Sequence, residues 1–119
     1  MKIAIATADK TLESKVCESF GRAPYFLIYD TDKTEAVYLE NTAAKSSGGA
    51  GIKAAQIIVD SNVEVVILPR CGGNAADVLN EAGIKLYKSQ DVSMAENIEN
   101  LKDSKLNLLT DIHEGFHNK

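Results

Sequence analysis

Apolar positions along the chain fall into two periods. Lys2–Thr7 alternates little and is rich in Ile and Ala, the pattern of a strand buried on both faces. Tyr25–Asp30 (Tyr-Phe-Leu-Ile-Tyr-Asp) is aromatic and β-branched, and predicts a second strand. Glu35–Glu40 alternates, with Ala36, Tyr38 and Glu40 on one face and Val37 and Leu39 on the other. The polar Thr31–Thr34 between them makes these two strands a hairpin. Ala50, Ala54, Ile57 and Ile58 then recur at helical spacing, so a helix runs to about Asp60. Val63–Leu68 is the most strand-like stretch, and Pro69 ends it.

Asn74 is the expected cap of a second helix whose apolar face is Ala75, Val78, Leu79 and Ala82, with Gly83 as its stop. Ile84–Tyr87 reads as a short strand. Ser93 with Glu96 forms a capping box, followed by a stripe of Met94, Ala95, Ile98 and Leu101. From Lys102 the chain becomes charged, with a small cluster of Leu106, Leu108 and Leu109. The order is β-β-β-α-β-α-β-α. We divide it into one domain over residues 1–105 and a polar tail over 106–119.

Composition narrows the function classes. With 119 residues the chain buries roughly 65% of its unfolded surface, enough for a core without disulfides. A net charge of -4, scattered basic residues and no Trp make nucleic acid a poor partner. No apolar run is long enough to span a bilayer, and the first strand is too short for a signal segment. The expected location is therefore the cytoplasm, where Cys17 and Cys71 are free thiols, ligands or core residues rather than a structural bridge.

Three motifs in order resemble a known family. Phe20-Gly21-Arg22-Ala23-Pro24-Tyr25-Phe26 resembles its F-G-R-A-P-x-F signature. Gly48-Gly49-Ala50-Gly51 resembles its Gly-rich segment before the first helix. Asn74-Ala75 with Ala82-Gly83-Ile84-Lys85 resembles its N-A…A-G-I-x pattern. The family is the dinitrogenase iron-molybdenum cofactor biosynthesis (cofactor-binding) type. The resemblance spans roughly residues 1–105 and implies a ribonuclease-H-like α/β fold, a mixed five-stranded sheet of order 3-2-1-4-5 flanked by helices. Ser19 stands where many members carry His, and Cys71 where many have no Cys.

Granted that strand order, the loops Ala8–Pro24, Asn41–Gly49 and Pro69–Gly73 emerge on one sheet edge, where open α/β sheets bind ligands. Cys17, Cys71 and the glycines are expected to converge there. Cys71 precedes a helix start and neighbours Arg70, both of which favour the thiolate that binds soft metals; the alternative is a small buried hydrophobe. Cys17 lies in a polar loop near Lys15 and is a weaker candidate ligand. Gly48, Gly49 and Gly51 open the first helix, and Gly72, Gly73 and Asn74 the second; free N–H groups at such places bind anions. Arg22 either offsets cargo charge at the mouth or is an ordinary exposed arginine. His113 and His117 in the tail are further candidate nitrogen ligands, although Gly115 argues against a helix holding them four apart.

Other chemistries find less support. Gly49–Ala54 fits G-x-G-x-x-A, but it follows a long loop and no acid ends the next strand, so a dinucleotide site is rejected. A two-metal nuclease needs several carboxylates; the first strand has none and Val63–Leu68 has only Glu64. No catalytic constellation stands out, so the chain is read as a carrier or scaffold for an anionic metal–sulfur cluster of iron and/or molybdenum. A cluster donor or acceptor protein is the implied partner. Two cysteines cannot fill a four-cysteine cluster site, so either the cluster brings its own ligands or a homodimer shares it. A thiol redox switch, or a small anion-binding module without metal, is the alternative.

Overall fold

The computed structural model describes residues 1–109, so His113 and His117 lie outside the described residues. Five strands form one sheet: β1 (Lys2–Thr7), β2 (Tyr25–Asp30), β3 (Glu35–Glu40), β4 (Val65–Leu68) and β5 (Lys85–Lys88). Their order is β3-β2-β1-β4-β5, as the motif resemblance implies. β2 is antiparallel to both β1 and β3, and β4 is parallel to β1 and β5. Helices α1 (Ala50–Asp60) and α2 (Gly73–Glu81) cover one face, and α3 (Met94–Lys102) covers the other.

Alternation along the strands decides which side chain meets which helix. In β1, Ala4 and Ala6 face α1 and α2, while Ile3 and Ile5 face α3. The alanines leave room for two helices on the first face; its core adds Phe26, Val66, Leu68, Ala54, Ile58 and Leu79. Beneath α3 the larger Ile3, Ile5, Leu27 and Ile67 pack on Met94, Ile98 and Leu101. Between β2 and β3, the Asp30 carboxylate accepts from the Asp32 and Lys33 amides and closes the turn.

Local signals explain the element ends and three corrections to the sequence reading. The α2 cap is Gly72, not Asn74: the helix begins at Gly73, and the Ala76 amide donates to the Gly72 carbonyl at 2.9 Å. Gly72 takes the extended conformation usual for a cap and Gly73 is already helical, which leaves Asn74 inside the first turn. At the other end Gly83 has φ +78°; its amide donates to Asn80 and that of Ile84 to Leu79, a Schellman closure. That closure uses the Ile84 amide, so β5 starts at Lys85 rather than Ile84. β4 is shorter than read, Val65–Leu68; Glu64 still bridges its neighbours, donating to Lys2 and accepting from Lys85. Ser93 caps α3 as expected, its hydroxyl accepting from the Glu96 amide at 3.1 Å.

Beyond α3 the chain docks on β5. The Lys88 amide donates to Asn107 and the Leu109 amide to Leu86, with Tyr87 bridged to Leu108. Leu106 and Leu109 are buried, and Leu108 is exposed. Among the described residues no helix is long and apolar enough to cross a membrane.

Candidate functional site

At the carboxyl edge of β1, β3 and β4 three loops surround a groove of about 740 Å³. Residues 18–22 form one wall, 49–52 at the start of α1 a second, and 70–75 with Asp77 at the start of α2 a third. The floor is anchored by Phe20, buried against Phe26 with ring centroids 5.3 Å apart.

Both helices open on this groove without a side-chain cap and with no acidic residue in the first turn. Four amides at each helix start lack an intrahelical partner, and among the described residues no carboxylate or hydroxyl takes them. They leave two adjacent patches of positive potential. Gly49 is the α1 cap at φ +69°, a conformation that disfavours any side chain. Gly72 has open space where a Cβ would stand, so its backbone is accessible from the groove.

Two polar side chains tie the first wall to the loop that leads into α1. Asn41 is buried; its amide donates to the carbonyls of Gly21 and Ala23, and its oxygen accepts from the Ala43 amide. Arg22 reaches the opposite way and donates from Nη1 to the carbonyls of Ala44 (2.9 Å) and Ser46 (2.8 Å). Loops 18–24 and 41–49 are thus cross-braced. The Gly21 backbone lies against the first turn of α1 so closely that a Cβ would stand 2.9 Å from the Gly51 nitrogen.

Cys71 lies at the start of the third wall with 2% of its surface exposed. Burial pushes its thiol up to about 11. The expectation of a ready thiolate is therefore corrected: desolvation outweighs the helix start and the neighbouring arginine. Arg70 forms an exposed ion pair with Glu18 at 3.2 Å. Arg22 does line the groove, but its guanidinium is engaged by two carbonyls.

The structure brings together Arg22, Gly49, Gly51, Cys71, Gly72, Gly73 and Asn74. It leaves two candidates outside the groove lining. Cys17 is half-buried, its amide donating to Ala6 at 2.8 Å and its side chain packed against the core on the α1 and α2 side. That bond draws residue 17 back along β1, which removes it from the convergence expected of the loop. Gly48 is exposed and one residue too early to face the groove. Sequence reasoning missed Gly21 and Asn41 as organisers of the walls. Gly21 was visible inside its motif; Asn41 could have been read as a local cap for the Ala43 amide, but not as a brace, because the carbonyls it holds lie 18 and 20 residues away.

Among the described residues no three His, Cys, Asp or Glu side chains cluster as metal ligands. The donor set thus fits no bare metal ion, which needs three or four protein ligands. It fits an anion that already carries its own sulfur or oxygen ligands: amide donors, one latent soft sulfur and an accessible glycine backbone.

The fold defines a small α/β protein with a mixed five-stranded sheet and a groove at the strand ends. The model of the dinitrogenase iron-molybdenum cofactor family matches residues 1–104, and the chain belongs to that family. It is 30% identical over 109 residues to an uncharacterised protein of Methanocaldococcus jannaschii, covering 89% of each chain. Among solved structures it is similar to the apo form of the orange protein from Desulfovibrio gigas, with TM-score 0.86, 28% identity and 92% of each chain covered. It is also similar to a putative NifB protein from Thermotoga, with TM-score 0.81, 35% identity and coverage of 96% and 97%.

Proposed function

We propose that this protein is a carrier that holds an anionic metal–sulfur cluster, containing iron and/or molybdenum, in the groove and passes it between a donor and an acceptor protein. One observation carries the reading: two uncapped helix starts face the same groove, with Cys71 in its lining. Backbone amides suit a cargo that must be released, because they attract its charge without forming bonds to metal. Family membership and the similarity to the orange protein's apo form support a cofactor-related cargo. Arrival of metal at Cys71 would expel the thiol proton and supply a soft ligand.

No enzymatic role is proposed: among the described residues the groove lining holds two carboxylates, Glu18 and Asp77, and no histidine. A thiol redox switch has weaker support. The buried Cys71 is held as the thiol, the form that exchanges slowly, and Cys17 lies outside the groove.

The test is anaerobic reconstitution with iron, molybdate and sulfide, read as bound metal per chain and as a visible spectrum. Wild type should retain cluster, and Cys71→Ser should fold and retain several-fold less. Cys17→Ser should retain as much as wild type. Equal metal in folded Cys71→Ser and wild type would remove Cys71 from the site, and no metal in wild type would remove the cluster reading itself.

A further inference from the structure

Of the two arginines that line the groove, one is locked and the other is exchangeable. Arg22 donates to two neutral carbonyls at 2.8 and 2.9 Å. Arg70 donates from Nη2 to a carboxylate oxygen of Glu18 at 3.2 Å, and among the described residues its guanidinium makes no other hydrogen bond. A guanidinium has five donors, so most of its capacity is unused. Both partners are exposed, Arg70 over 63% and Glu18 over 79% of the side chain. We propose that Glu18 is a built-in competitor for the cargo: it holds Arg70 while the groove is empty and yields it when an anion enters. This rests on the anionic cargo argued above and names the side chain that recognises its charge.

The pair is not what holds the walls. Among the described residues it is the one hydrogen bond that joins residues 18–22 to residues 70–75. Those walls are fixed by packing through the start of α1. A Cβ on Gly21 would stand 2.9 Å from the Gly51 nitrogen, and a Cβ on Gly51 would stand 3.7 Å from that of Ala75 in α2. An exposed ion pair contributes little to stability, because water competes for both partners and two long side chains must be held still. Arg70 can therefore change partner while the groove keeps its shape.

Cargo charge drives the exchange from both sides. An anion held by the amides at the starts of α1 and α2 attracts Arg70 and repels Glu18, since both line the same groove. Asp77, the other carboxylate of the lining, is bonded to neither arginine, so the competition belongs to Glu18. When the cargo leaves, Glu18 takes Arg70 back, and release costs less than it would from an arginine with no carboxylate at hand. Apparent affinity falls by the fraction of molecules in which Arg70 is already paired. Glu18 thereby holds affinity down, which suits a protein that must hand its cargo on.

Anaerobic titration calorimetry of the full chain with tetrathiomolybdate, a dianion whose metal brings its own sulfur ligands, reads the exchange. Glu18→Gln should bind the probe about three- to fivefold more tightly than wild type. Arg70→Gln should bind it at least about tenfold more weakly. In the Arg70→Gln background, Glu18→Gln should gain less than about twofold, because the competitor has nothing left to hold; through-space repulsion alone would give the same gain in both backgrounds. The Arg70 Nε–Hε resonance, assigned by its absence from Arg70→Gln, should move on titration and reach the same bound position in wild type and Glu18→Gln. No gain from Glu18→Gln, equal gains in both backgrounds, or an Arg70 resonance unmoved at saturation would each overturn the exchange and leave cargo binding by the groove intact. Absence of binding in wild type and in both single variants would instead remove the anionic cargo, and the exchange with it.

Discussion

The buried thiol of Cys71 makes stability depend on alkaline pH in a way that a single substitution removes. Its titration point rises from 9.0 in the open chain to about 11 in the fold. Burial therefore favours the protonated form, and the contribution to stability is complete below pH 9. Above that, the unfolded chain gains free energy by ionising while the folded chain does not, until pH passes 11. Two units correspond to a loss of about 2.7 kcal/mol at full ionisation, with about 1.4 kcal/mol already lost at pH 10. Cys71→Ala lacks this titration and instead loses a small buried sulfur, a cost of about 1 kcal/mol at every pH. The wild type should thus be the more stable protein at pH 7 and the less stable one at pH 10.5. Urea unfolding of both proteins at pH 7, 9, 10 and 10.5, followed by circular dichroism, gives the difference directly. Lysine and tyrosine titrations common to both proteins cancel in it. A stability gap that stays constant over this range would refute the desolvated thiol and with it the correction to the sequence reading.

Two further substitutions probe what holds the groove and its surroundings in shape. Gly21→Ala places a methyl 2.9 Å from the Gly51 nitrogen and 3.0 Å from its Cα, both backbone atoms, so the start of α1 must shift; thermal unfolding should show a loss of about 1–3 kcal/mol, whereas Gly51→Ala, which meets only Ala75 at 3.7 Å, should not show such a clash penalty. Asn97 is buried, donates to the carbonyls of Gln90, Val92 and Ser93, and accepts from the Gln90 amide; Asn97→Ala leaves those groups unpaired, and chemical denaturation should show a loss of about 2–3 kcal/mol, while an unchanged midpoint would mean that water replaces the side chain at no cost.

Much of this molecule was legible without coordinates because its signals are local. The run Ile3–Ala6 needs burial on both faces wherever it sits, and the alternation of Glu35–Glu40 marks a strand with one face less covered. Ala50 and Asp60 bound α1 as the helical spacing suggests, because glycines precede it and a polar turn follows. Ser93 and Gly83 act on their own neighbours, so their capping roles survive any tertiary arrangement. The strand order came instead from three motifs in sequence, and pattern alone would have left it open.

What the tertiary structure decided is how residues distant in sequence change one another's chemistry. Cys71 was placed correctly in the loop after β4, but its charge state depends on a desolvation that no neighbour in sequence reports. Arg70 looked like its electrostatic helper and is occupied by Glu18, 52 residues away. Arg22 and Asn41 look like ordinary polar loop residues and are the braces that join the first wall of the groove to the loop before α1. Cys17 shares a loop with that groove, yet its amide follows β1 and draws it away from the lining. Helix and strand formation answers to the few residues on either side, whereas proton affinity, pairing and access to a site are set by whatever the fold brings within a few ångströms.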